Sequence, residues 1–141
     1  MKARLLLAAA AVAALTTVSN AVPAIVEGPA TTVDGDTVTV KEYSVRLKGV
    51  DAPENWMKGG PEGTAFMKTI VGDWLRCELT GEKTRRREVG FCRNKAGQDI
   101  AEEIIKKGLA LCCPHYSERY CKFEQAEAQQ RQPRARYCLP R

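Results

Sequence analysis

Six cysteines in 141 residues (Cys77, Cys92, Cys112, Cys113, Cys121 and Cys138) constrain this chain more than any other feature. An even set in a short chain reads as three disulfides in an oxidising compartment, and as thiolate ligands or redox groups in a reducing one. The N-terminus decides between them. Lys2 and Arg4 precede an apolar run over residues 5–15, and Thr16, Thr17, Val18, Ser19, Asn20 and Ala21 follow it, which is the layout of a secretory signal peptide. The run falls well short of the ~20 apolar residues that cross a bilayer, so no stable membrane insertion is expected. Residues 1–24 are therefore expected as a signal peptide, cleaved after Ala21 or Ala24, and the chain as exported, either periplasmic or secreted. A metal site of Cys112, Cys113 and His115 is the competing reading. Export argues against it, and there is no C-x-x-C pair.

The remainder, about 117 residues, is expected as one domain with one core, acting as a monomer. The whole chain has a formal charge of +5, and loss of Lys2 and Arg4 with the leader brings it to about +3. A mildly basic surface suits a polyanionic partner without requiring one.

Residues 28–50 alternate β-formers with turn residues. Asp34-Gly35 is a hairpin signal, and a second turn near Lys41-Glu42-Tyr43 completes a three-stranded meander. Pro53 ends it. A glycine-rich loop over 58–63 leads into a helix over 64–74, where Phe66, Met67, Ile70, Val71 and Trp74 recur at helical spacing. Two further strands are expected at 75–80 and 88–93, separated by the polar turn 81–84, which sets Cys77 opposite Cys92 as the first disulfide. Asp99, with Glu102 three residues on, opens a second helix that Gly108 closes. A third is expected over 117–132, with Tyr120, Phe123 and Ala128 inward and Pro133 beyond its end. Five short antiparallel strands with three helices make an α+β, mainly β chain, for which periodicity leaves a closed barrel and an open sheet both open.

Adjacent Cys112 and Cys113 do not pair readily with each other. Cys113–Cys138 would tie the last loop to the C-terminal tail and leave Cys112–Cys121, but the arrangement with exchanged partners remains open.

The chemistry gathers around the meander. Asp36 opens its second strand, and Asp51 and Glu54 follow the end of its third, so their carboxylates can converge. Two carboxylates and a backbone carbonyl form a hard oxygen site that suits Ca²⁺. An isolated Asp-Gly turn is ordinarily just a solvated turn. Here, however, Arg46 interrupts an apolar strand and Arg85, Arg86 and Arg87 open another. Acids to hold a cation beside arginines to grip a phosphate are what phosphoryl transfer needs, because its transition state carries negative charge on oxygen.

Val33-Asp34-Gly35-Asp36-Thr37-Val38, then Val45-Arg46-Leu47 and Asp51-Ala52-Pro53-Glu54, resemble the staphylococcal nuclease-like (thermonuclease) family. So do Thr80-Gly81-Glu82, Arg87-Glu88-Val89-Gly90, Asp99-Ile100-Ala101, Gly108-Leu109-Ala110 and Tyr116-Ser117. The resemblance spans residues 28–128 and implies a five-stranded OB-fold barrel with three packed α-helices. It further implies a Ca²⁺-dependent nuclease acting on DNA, RNA or both. Asp36, Asp51 and the Ala52 carbonyl would bind Ca²⁺, with Asp34 behind them through water. Many family members have Thr in place of Ala52, and a carbonyl ligand tolerates the change. Glu54 matches the residue that activates the attacking water, and Arg46 and Arg87 match the pair that clamps the phosphate; the 5′-oxygen leaves, giving 3′-phosphate ends. The chain departs from the family where members have Asp-x-Tyr-Gly-Arg before the fifth strand. Its Thr84-Arg85-Arg86-Arg87 is shorter, which leaves Arg85, Arg86 and Tyr116 as candidate substrate contacts and recognition of the nucleotide terminus in question. His115 is expected as a loop residue, since Glu54 already supplies a base.

Two other readings compete. A non-catalytic OB-type nucleic-acid-binding module of the cell envelope would bind single strands by stacking, but aromatics are only 6% of the chain and the acids are retained. A disulfide-stapled interaction domain rests on the cysteines alone. Neither accounts for Arg46 beside Asp51 and Glu54.

Overall fold

The computed structural model of the protein describes residues 21–140; the expected leader up to residue 20 lies outside the described residues. Five strands close a barrel: β1 (Ile25–Thr32), β2 (Thr37–Val40), β3 (Tyr43–Leu47), β5 (Trp74–Thr84) and β6 (Arg87–Asn94), in the order β1-β2-β3-β6-β5. Helix α1 (Gly60–Val71) follows the two-residue strand β4 (Val50–Asp51). Helix α2 (Ile100–Lys106), strand β7 (Leu111–Cys112), which pairs with β4, and helix α3 (Ala126–Arg131) follow the barrel. The expected OB-type α+β barrel with three helices is the observed architecture. One pairing corrects the all-antiparallel expectation, because β3 and β6 run parallel and close the barrel through the crossover that contains α1.

Alternation explains the barrel. Val38, Val40, Val45 and Leu47 point inward from β2 and β3 and are fully buried, together with Leu75, Cys77 and Cys92 from β5 and β6. Met67 and Val71 of α1 and Ile100, Ile104 and Ile105 of α2 cover the barrel and complete the core. Burying an aliphatic side chain of this size contributes about 1.5–3 kcal/mol relative to exposure. The Asp99 side chain caps α2 by accepting from the backbone N–H groups of Ala101 (3.1 Å) and Glu102 (3.4 Å). Glu102 pairs with Lys106 instead of returning to the cap, so only half of a capping box forms.

Four element boundaries differ from the sequence reading. Helix α1 begins at Gly60, because Gly59 takes a left-handed cap (φ 86°) and Pro61 needs no N–H partner in the first turn. It stops at Val71, with Gly72 (φ 61°) as the break, so Trp74 begins β5. The polar residues 81–84 remain paired to β6 after a register shift between Leu79 and Lys83, and the chain reverses at Arg85-Arg86 with Arg85 left-handed (φ 56°). The helix expected over 117–132 is reduced to a 3₁₀ turn at Cys121–Phe123 and the six-residue α3. Two tethers hold the first half out of α-helix: Cys121 is bonded to Cys112, and the buried Tyr120 hydroxyl donates to Asp99 Oδ2 (2.9 Å). Tyr120 and Ala128 are buried and Phe123 is partly so, the inward set expected, although only Ala128 lies in an α-helix.

All six cysteines pair. Cys77 and Cys92 face each other across β5 and β6, and Cys113–Cys138 and Cys112–Cys121 are the remaining bridges. Among the described residues no helix is long and apolar enough to cross a membrane.

Candidate active site

Strand register brings the two arginines together. Thr37 of β2 pairs with Arg46 of β3, and Arg46 pairs with Val89 of β6. Val38, Val45 and Leu47 face the core, so the alternate residues Thr37 and Arg46 share the outer face, and Arg87, two residues before Val89, falls on it as well. The side chains are joined in a row. Arg87 Nη1 donates to Thr37 Oγ1 (3.0 Å), Thr37 Oγ1 donates to Asp36 Oδ1 (3.2 Å), and Arg46 Nη2 pairs with Asp36 Oδ2 (3.0 Å). Arg46 Nη1 also donates to the Val50 carbonyl (2.9 Å), fixing the start of β4.

Asp36 is buried, and the Ala52 N–H donates to its Oδ2 (3.0 Å), so its carboxylate lies against the peptide that follows Asp51. Gly35 makes this approach possible, since a Cβ there would sit 2.6 Å from the Ala52 methyl. Asp34 Oδ1 accepts from the Asp36 N–H (3.1 Å), a turn closure that orients Asp36 from the adjacent residue. Burial pushes the Asp36 carboxyl up to about 7; Arg46 opposes the shift and Asp34 adds to it.

Asp51, also buried, is held from the far end of the chain. Tyr137 Oη donates to its Oδ1 (3.1 Å), the Ala135 N–H to its Oδ2 (3.4 Å), and Gln132 Nε2 to its carbonyl (3.0 Å). Burial raises the Tyr137 phenol above its ordinary range, with the Asp51 charge and hydrogen bond adding to the effect.

Glu54 is exposed on the loop after β4. Its carbonyl accepts from the Met57 N–H (2.8 Å) and lies where a Cβ on Gly60 would be, 1.9 Å away, so the loop closes against α1 only with glycine there. Asp36, Arg46, Glu54, Arg85, Arg87, Tyr116 and Tyr137 line one cleft of about 530 Å³. Arg86 is exposed in the same turn as Arg85. His115 is a loop residue whose ring meets Tyr116 edge-on (4.8 Å).

The family model described as "Staphylococcal nuclease homologue" matches residues 44–136, well over half of the chain. This chain belongs to the staphylococcal nuclease family. It is 36% identical over 88 residues to a protein named probable staphylococcal-like nuclease CAN1 from Oryza sativa subsp. japonica, covering 60% of this chain and 26% of that one. Staphylococcal-like nuclease CAN1 of Arabidopsis thaliana is 32% identical over 99 residues, with 67% and 30% covered. Succinoglycan biosynthesis protein ExoI of Rhizobium meliloti (strain 1021) is 30% identical over 96 residues, with 60% and 50% covered. The chain thus spans about a quarter to a half of the length of these relatives. Arg46, Asp51, Ala52, Glu54, Arg87 and Tyr116 fall inside the family match, whereas Asp34, Asp36 and Thr37 precede it.

In this nuclease-family domain the donor set fits a hard cation. Arg46 balances Asp36, but among the described residues no Lys, Arg or His pairs with Asp51, which keeps only neutral donors. Two buried carboxylates, of which one is paired with a guanidinium, leave negative charge that a cation would offset. Among the described residues no group of three His, Cys, Asp or Glu side chains converges, so carbonyl and water oxygens must complete any shell.

Thr37, Gln132 and Tyr137 were missed in the sequence reading. Thr37 had a usable signal, its place beside Asp36 opposite an arginine-bearing strand. The two tail residues had none.

The Asp36 environment gives a pH dependence. Its folded-state pKa lies above the ordinary 3.8, so the stability it contributes is complete below that value and is lost as pH rises through about 7. Asparagine mimics the neutral form at every pH. In chelator-treated protein Asp36→Asn is therefore expected to unfold at a higher temperature than wild type at about pH 8, with the gap closing by about pH 4. Scanning calorimetry at the two pH values checks this. Greater loss of stability at the higher pH would mean that the Arg46 pair outweighs burial.

Proposed function

We propose that this chain is a Ca²⁺-dependent nuclease that hydrolyses phosphodiester bonds of DNA, RNA or both. The observation that carries the reading is the row Arg87, Thr37, Asp36 and Arg46 on one face of the barrel, opening into the cleft that Glu54 also lines. Asp36, Asp51 and the Ala52 carbonyl would hold the cation, with Asp34 behind Asp36, and Ca²⁺ there would supply neutralising charge to a phosphate oxygen.

The remaining steps belong to the chain's own side chains. Arg46 and Arg87 bind the phosphate and stabilise charge as it grows on the phosphoryl oxygens. Glu54 accepts a proton from water as the water oxygen bonds to phosphorus. The bond from phosphorus to the 5′-oxygen breaks, and that oxygen takes up a proton, leaving a 5′-hydroxyl and a 3′-phosphate. Arg85, Arg86 and Tyr116 at or beside the cleft rim offer contacts to the flanking strand. Three disulfides favour an oxidising compartment, in keeping with export.

The deciding experiment incubates purified, oxidised protein with single-stranded DNA in Ca²⁺ or in chelator. Cleavage only with Ca²⁺ supports the enzyme. Retention of DNA without cleavage in either condition would favour a binding module instead.

A further inference from the structure

Asp51 ends a strand of only two residues, whose single partner strand is equally short, so β pairing alone does little to orient its carboxylate. The orienting groups come from the C-terminal tail, more than eighty positions away: Gln132 on the Asp51 carbonyl, the Ala135 N–H on one carboxylate oxygen and the Tyr137 hydroxyl on the other. The tail is itself secured. Cys138 is fully buried and bonded to Cys113, and Arg134 reaches the Cys112 carbonyl and pairs with the buried Glu124 side chain. Tyr137, by contrast, is 55% exposed, so burial of its ring does not explain its position. It lines the cleft, and its hydroxyl is directed at the buried Asp51 carboxylate.

We propose that Tyr137 is a positioning residue of the cation site, holding the Asp51 carboxylate in its binding orientation from a disulfide-anchored tail. The inference rests on the proposed role of Asp51 as a Ca²⁺ ligand. An ionised carboxylate has about four lone-pair directions, and the two tail hydrogen bonds occupy two of them, so two remain for a cation and its waters. Hydrogen bonds from outside the shell to a ligand of this kind fix its rotamer, and their loss typically weakens metal binding about 10–100-fold.

Calorimetric titration of the oxidised protein with Ca²⁺, comparing wild type, Tyr137→Phe and Asp51→Ala, tests this. Tyr137→Phe keeps the half-exposed ring and removes only the donor. It is expected to weaken Ca²⁺ binding about tenfold or more, while the unfolding midpoint in chelator stays with wild type. Its cleavage activity against Ca²⁺ concentration should shift to higher Ca²⁺ and reach the wild-type plateau. Equal or tighter Ca²⁺ binding by Tyr137→Phe, with Asp51→Ala abolishing it, overturns the positioning role and makes the tail a cover that competes with the cation. Wild-type binding by Asp51→Ala, or none by wild type, removes the Asp51 ligand reading and this inference with it.

Discussion

Glu54→Gln is expected to lower kcat by about 10²–10⁴, the usual share of general base catalysis, with little change in substrate binding. Glutamine keeps the size and hydrogen-bonding reach of glutamate but cannot take a proton from water at neutral pH. The backbone beneath it should be undisturbed, because the Glu54 carbonyl is held by the Met57 N–H and the Gly60 approach, neither of which involves the side chain. Steady-state kinetics at saturating Ca²⁺ on a defined oligonucleotide separates kcat from KM. Near-full turnover would remove Glu54 as the base. Products carrying 5′-phosphate, read by resistance to a 3′-phosphatase, would show that the wrong bond has been assigned.

The barrel strands and most of the candidate site were legible in the sequence because both depend on local pattern, whereas closure of the barrel came only from the family resemblance, since it rests on the long-range parallel pairing of β3 with β6. Period-two burial in Val38, Val40, Val45 and Leu47 requires that Arg46 face outward, and the Asp-Gly turn delivers Asp36 to the same end of the sheet. Cys77–Cys92 was legible for the same reason, since one hairpin register sets the two residues opposite each other. Competition between local and long-range preferences was harder to read. Gly81 is a turn signal within its own segment, yet β6 offers partners as far as Thr84, and the reversal falls on two arginines, one of them left-handed. The helix expected over 117–132 had adequate propensity but lost its first half to the Cys112–Cys121 bridge and the Tyr120 contact with Asp99. The tail's contact with Asp51 lay outside any pattern. A disulfide from Cys113 to Cys138 brings the tail near the cleft, but no periodicity or motif joins Tyr137 to a carboxylate eighty-six positions earlier.

Arg87 is the better arginine for testing the phosphate clamp, for a reason visible in their partners. Arg46 is bound to the buried Asp36 and to the Val50 carbonyl, so removing it strips a buried carboxyl of its counter-charge and a carbonyl of its donor, which lowers folding stability. Loss of activity in Arg46→Ala would thus mix catalysis with unfolding. Among the described residues the Arg87 side chain has one hydrogen-bonded partner, the Thr37 hydroxyl, and it lies half-buried on the cleft wall. Arg87→Ala is expected to fold and to lower kcat/KM by about 10²–10³, the range for losing one donor aimed at transition-state charge. Lysine in its place should recover little, because a single ammonium cannot reproduce the two-pronged contact of a guanidinium with a phosphate. Arg85→Ala is the comparator, and at the exposed turn its effect should fall mainly on KM and shrink as salt is raised. Kinetics on all three variants, with thermal unfolding as the folding control, decides the assignment. Wild-type kcat/KM in Arg87→Ala, or full recovery in Arg87→Lys, would mean that Arg87 supplies general positive charge and that the clamp lies elsewhere in the cleft.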